Sequence, residues 1–189
     1  DSLERSVHGR ITLGDFSPWP ITFFSPGVMG WYAFVPFMQC YHGLISFDHA
    51  IDGRLIINNQ DIRFAGGRGY IEKDWGQSFP STYVWMQSNH FDTRGVSLMA
   101  SVANIPWLRR SFRGFIIGLR MNDKLLRFTT YTKAALELCD ITEKFVRIIV
   151  SDKKYRLAIT AARTDGAVLF APYDLKMTPR VSETLGSNL

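Results

Sequence analysis

Cysteine is nearly absent: only Cys40 and Cys139 occur, far apart and in apolar surroundings. They supply neither a disulfide framework nor zinc-ligand spacing, so a reducing compartment, by default the cytoplasm, is expected. Also missing is any apolar stretch approaching the ~18–20 residues that cross a bilayer as a helix, and no signal-peptide pattern is visible. The Lys and Arg residues leave a formal charge of +5 but are scattered, with no run of five or more, which argues against nucleic acid as a partner. No Gly-x-Ser-x-Gly, His-Glu-x-x-His or Gly-x-Gly-x-x-Gly motif occurs, so a nucleophile elbow, a helical zinc site and a dinucleotide loop all lack support. There is no internal repeat and no low-complexity linker. The chain opens on Asp1 and not on Met, which suits a processed or excised piece.

What the sequence has in excess is aromatic rings. Among 189 residues stand 14 Phe, 7 Tyr and 5 Trp, against 21% charged residues. Rings supply large contact area, so the excess suits either a β core or a cavity for a bulky apolar ligand.

Most segments alternate with period two and are punctuated by turns, a strand signature. Gly43 to Ile51 reads as a strand, Asp52-Gly53 as a tight hairpin, and Arg54 to Ile57 as the return. Asn58-Asn59-Gln60 turns again into Asp61 to Phe64. Tyr83 to Phe91 and Val96 to Val102 flank Asp92 to Gly95, and Phe112 to Met121 and Leu125 to Tyr131 flank Asn122 to Lys124. Phe145 to Val150 and Tyr155 to Ala162 pair around Ser151 to Lys154, with a further strand at Ala167 to Phe170. Such spacing predicts an all-β, antiparallel meander, with closure into a barrel as the usual way to remove sheet edges. The only helical turn expected is at Pro106 to Arg110, where Asn104 could cap and Pro106 suits a first turn. Asp15 to Gly30, with Pro18, Pro20 and Pro26, reads as a crossing segment. The break at Phe79-Pro80 divides the chain into residues 1–80 and 81–189.

The most unusual stretch runs from Gly66 to Pro80. Three glycines precede Tyr70-Ile71-Glu72-Lys73-Asp74-Trp75, and in an extended chain Tyr70, Glu72 and Asp74 project to one face. Neighbouring carboxylates repel, which raises at least one pKa, and an apolar pocket raises it further. A carboxyl kept protonated near neutral pH is what an acid catalyst needs. The same two carboxylates could equally pair with Arg68 or Lys73 in a packed connection. On the next strand Tyr83, Trp85, Gln87, Asn89 and Phe91 share a face, which fits a cavity wall that packs an apolar chain and hydrogen-bonds a polar head. A core strand with satisfied amides would read the same way. His42, His49 and His90 each read as structural residues when taken singly; His90 lies nearest the carboxyl segment and keeps a ligand-binding or catalytic role open. From Pro106 to Phe115, Trp107, Phe112 and Phe115 interleave with Arg109, Arg110 and Arg113. That mixture suits a peripheral membrane contact, or a solvated loop beside a core strand.

The run Gly69-Tyr70-Ile71-Glu72-Lys73-Asp74-Trp75-Gly76, followed by Phe79-Pro80 and by Trp85-Met86-Gln87-Ser88-Asn89, resembles the signature of tocopherol cyclases. There a Glu-Lys-Asn-Trp-Gly sequence leads through Phe-Pro to a Trp-x-Gln-Cys-Asn strand. The resemblance extends more weakly from about Met29 to Pro172. Asp74 and Ser88 stand where plant-type enzymes have Asn and Cys, features that suit a bacterial-type branch whose reaction need not be cyclisation. The group is distantly similar to carotenoid 1,2-hydratases, in which Glu72 would take the place of an acidic residue. The resemblance implies lipocalin-like β-barrels, two in a longer protein of which this chain would be an incomplete part. It also implies an isoprenoid-type ligand, protonation of an alkene by Glu72 with Asp74 raising its pKa, and cation stabilisation by Tyr70, Trp75 and Trp85. Gln87 and Asn89 would orient the polar head, and no metal or redox cofactor is required. A non-catalytic lipocalin-like carrier would use the same pocket without the acid.

Overall fold

The computed structural model describes residues 6–36, 38–107 and 110–189. Among them run thirteen strands and two short 3-10 turns, Gly30–Phe34 and Thr130–Thr132. The strands are β1 (Val7–Gly14), β2 (Cys40–Ile57), β3 (Gln60–Arg63), β4 (Gly67–Gly76), β5 (Tyr83–Ser88), β6 (Val96–Trp107), β7 (Arg110–Met121), β8 (Lys124–Thr129), β9 (Ala135–Ile141), β10 (Phe145–Ser151), β11 (Arg156–Ala162), β12 (Ala167–Tyr173) and β13 (Lys176–Glu183). Every pairing is antiparallel. The expected all-β architecture holds. Four sheets form: β1 to β4 around the long β2, the meander β5-β6-β7-β8, the meander β11-β10-β9, and the hairpin β12-β13. No sheet closes on itself among the described residues.

Two corrections to the sequence reading concern local signals overruled by neighbours. Asp52-Gly53 is not a hairpin: β2 runs straight through it, because β1 pairs on both sides, Ile11 opposite Gly53 and Gly9 opposite Leu55. Gly53 holds φ +122°, and a Cβ there would stand 2.2 Å from the Arg10 carbonyl oxygen. Glycine here lets two strands bend together. The true turn follows at Asn58-Asn59, both with positive φ (49° and 66°), as a two-residue hairpin requires. Likewise Pro106 and Trp107 do not begin a helical turn but extend β6, opposite Ser111 and Arg110 of β7; Leu108 and Arg109 lie outside the described residues. Strand β5 stops at Ser88, so Asn89, His90 and Phe91 lie beyond it. Strands β1, β9 and β13 had no reading in the sequence.

Strand β6 is buried on both faces, and this stacks the layers. Its Leu98, Ala100 and Val102 join Phe115, Ile117 and Phe128 of the same sheet against Val146, Ile148, Val150 and Ile159 of the β9–β11 sheet. Its Met99 points the other way, into Trp19, Val28, Met29, Leu44 and Phe47. Trp19 and Phe47 stack at 5.7 Å, so the Pro-rich crossing segment plugs the space between β2 and β6. The Ser97 hydroxyl donates to the Phe47 carbonyl at 2.7 Å, tying the two sheets at the same level. Burial of apolar area at roughly 25 cal/mol per Å² drives this stacking. Its consequence for the site is geometric: side chains of β4 and β5, which belong to different sheets, meet between the layers.

Candidate functional site

The face alternation of β4 puts Tyr70, Glu72 and Asp74 together, and the register with β2 places His42 opposite Asp74 and Leu44 opposite Glu72. His42 Nδ1 sits 2.5 Å from Asp74 Oδ1, and its Nε2 is 3.7 Å from Glu72 Oε2. The Tyr70 hydroxyl donates a short hydrogen bond to Glu72 Oε2. From β5, Trp85 Nε1 donates to the same oxygen at 3.1 Å. Glu72 thus has one oxygen with two neutral donors, and its side chain is only 18% exposed.

Neither Arg68 nor Lys73 neutralises these carboxylates. Arg68 pairs with Asp48, Nε to Oδ1 at 2.7 Å, and the Lys73 ammonium lies 5.7 Å above the Trp75 ring. Among the described residues the only cation within ion-pairing reach of Glu72 or Asp74 is His42. Burial pushes the Glu72 carboxyl above its ordinary value; the His42 charge and the Tyr70 and Trp85 bonds pull against it, and Asp74 adds a smaller upward push. For His42, burial alone would lower the pKa, but the bond to Asp74 and the charges of Asp74 and Glu72 outweigh it and raise the ring. Burial, then the Glu72 charge, holds the Tyr70 phenol far above its usual range, so it remains a donor.

This cluster opens on a cavity of about 1110 Å³. His42, Glu72 and Asp74 line one wall, all of β5 lines another, and the β12–β13 hairpin and the C-terminal residues complete it. The volume lies slightly above the ~300–1,000 Å³ typical of small-molecule sites, enough for a long apolar ligand. The Cys40 thiol also lines it, and burial followed by the Asp74 charge pushes its pKa up to about 12, which leaves it an inert thiol.

The residues singled out in the sequence distribute as follows. Tyr70, Glu72, Asp74 and Trp85 come together; Glu72, Asp74 and Trp85 line the cavity with Gln87 and His90, whereas Tyr70 packs against the Trp19–Phe47 core and reaches the site through its bond to Glu72. Trp75 does not: it lies on the other face of β4, 47% exposed, stacked on Tyr41 at 5.7 Å. Asn89 is buried and spends its amide on the Gly69 carbonyl at 3.2 Å and on Asp48 at 3.4 Å, bracing the start of β4. Gly69 is itself required there, since a Cβ would stand 2.3 Å from the His49 ring.

Sequence reasoning missed His42 as a member of the cluster. It stands some thirty residues before Glu72 with no local motif, and only the β2–β4 register joins them. One ligand atom each from His42, Glu72 and Asp74 lie within 4.8 Å of one another. An imidazole with two carboxylates is a donor set that divalent cations accept. Here Nδ1 is committed to Asp74, and Glu72 Oε2 to Tyr70 and Trp85, so a cation would have to displace bonds already made.

A family model described as tocopherol cyclase-like matches residues 16–189. The chain belongs to the tocopherol cyclase-like family. The matched span takes in the whole cluster, from His42 to Trp85, together with the hairpin that closes the cavity. No curated protein and no solved structure matches this tocopherol cyclase-like chain. Among its described residues no helix is long and apolar enough to cross a membrane.

Proposed function

We propose that this chain catalyses addition across a carbon–carbon double bond of an isoprenoid-type lipid, by protonating the alkene and letting an oxygen capture the cation. The observation that carries this reading is the environment of Glu72: a cavity-lining carboxyl, buried enough to raise its pKa, whose Oε2 already accepts two hydrogen bonds. A carboxyl holds its proton on the oxygen that accepts fewer bonds, so Oε1 is the donor atom. Transfer of that proton to the less substituted alkene carbon breaks the π bond and leaves a tertiary cation beside the cavity-lining Trp85 ring. Its face stabilises the cation by about 0.5–2 kcal/mol. A phenol or water oxygen then forms the C–O bond and releases its proton, which returns to the Glu72 carboxylate. His42, held by Asp74 and with Nε2 3.7 Å from Glu72, is placed to relay that proton. Tyr70 and Trp85 also support the carboxylate while it lacks the proton. Gln87 offers an amide to the ligand's polar head.

The test is a Glu72→Gln variant assayed with a prenylated hydroquinone as substrate, with products followed by mass spectrometry. Ligand affinity retained and turnover lost is the expected result. Unchanged turnover removes Glu72 from the mechanism, and binding without turnover in the wild type makes the chain a carrier.

A further inference from the structure

Among the described residues five buried side-chain nitrogens make no hydrogen bond, and three of them, His42 Nε2, Gln87 Nε2 and Arg180 Nη1, belong to residues lining the cavity. A buried donor without an acceptor costs roughly 1–3 kcal/mol, and more when charged, so folds seldom keep one without a use. His42 belongs to the proton cluster. Arg180 does not: it comes from β13.

The rest of the Arg180 guanidinium is held in place. Its Cζ lies 4.7 Å from the Tyr173 ring centroid, and Nη2 donates to the carbonyls of Pro80 and Ser81, both at 3.3 Å. These contacts orient the fork but leave its charge without a counter-ion, since no carboxylate lies within ion-pairing distance among the described residues. Glu183, on the same strand, lines the cavity too and makes no pair with it. A guanidinium stays charged at any ordinary pH. Half-buried, with Nη1 shielded from solvent beside apolar walls, it calls for an anionic oxygen more than for a neutral one, because only an anion both accepts the hydrogen bond and neutralises the charge.

We propose that Arg180 binds a negatively charged oxygen group, carboxylate or phosphate, at one end of the cavity's ligand, with Gln87 taking a second oxygen nearer the reacting bond. The ligand is then an amphiphile with an apolar body and an anionic terminus. This rests on the reading of the cavity as the ligand's seat, and not on Glu72 acting as an acid. Arg180 is a specificity residue by this assignment.

The full chain is titrated with oleate, oleyl phosphate, methyl oleate and inorganic phosphate by displacement of an apolar fluorescent dye. At least one anionic amphiphile binds about tenfold or more tighter than the methyl ester, the scale of one charge-assisted hydrogen bond, and inorganic phosphate displaces nothing. Arg180→Gln, which keeps donors for Pro80 and Ser81, binds methyl oleate as before and loses the preference; Arg180→Lys recovers part of it. Equal affinity of acid, phosphate and ester in the wild type overturns the proposal, as does a preference that survives in Arg180→Gln, and both leave the Glu72 reading standing. Displacement by inorganic phosphate overturns the amphiphile. If no probe binds, the proposal is overturned, and binding of the prenylated hydroquinone in the same displacement assay decides the proposed function separately.

Discussion

His42 and Asp74 face each other across directly paired positions of β2 and β4, ring nitrogen to carboxylate oxygen at 2.5 Å. The pair fixes the imidazole so that its other nitrogen, buried and without a partner, faces Glu72. Glu72, half-buried, thus has an imidazole nitrogen at 3.7 Å and lines the cavity.

Asp74→Asn keeps the shape of this pair and removes its charge. The His42 pKa is expected to fall, because the opposing effect of burial is then less well compensated. Turnover is expected to drop on the order of a hundredfold, the scale of a lost proton-transfer partner. An NMR titration of the imidazole reads the first effect and product formation the second; an unmoved His42 pKa would detach Asp74 from the relay.

Stability should carry the mark of the raised carboxyl. A group whose pKa is higher folded than unfolded contributes stability that is present below its unfolded value and lost as pH rises through its folded value. Glu72 and His42 are both raised, so both contributions decline with rising pH, Glu72 first, from the carboxylate range upward, and His42 above about 6.5. Relative to the wild type, Glu72→Gln is expected to gain in melting temperature as pH rises from 4 to 7, a window set by the ordinary carboxylate and imidazole values. Paired thermal melts across that window check it, and parallel curves would mean that Glu72 is not held in an ionisation-averse site.

Gly53→Ala tests the bend in β2. The residue holds a positive φ of 122° and its missing Cβ would collide with the Arg10 carbonyl. A loss of about 1–3 kcal/mol in denaturant unfolding is expected, with little change at the cavity, which Gly53 does not line. A neutral substitution would show that β1 and β2 separate there at no cost.

Much of this was legible in the chain itself. Period-two alternation is a local property of extended backbone, so the strands around Tyr83, Val96, Phe112 and Phe145 could be read directly, and so could the shared face of Tyr70, Glu72 and Asp74. Turn signals were less dependable: Asn58-Asn59 turned and Asp52-Gly53 did not, because a neighbouring strand decides whether a flexible dipeptide bends or stays extended.

What the sequence determined by itself is therefore the all-β class, the family-bearing segment and the grouping of one acidic face. Tertiary structure decided which face meets the cavity, sending Trp85 inward and Trp75 outward, since alternation defines two sides without saying which is enclosed. It also brought His42 to Glu72 and carried Arg180 to the same cavity, 108 positions beyond Glu72 in the chain. Register between strands and the docking of a distant hairpin are non-local choices, made by the burial of Phe47, Trp19 and Met99 between sheets, and no short stretch of residues encodes them.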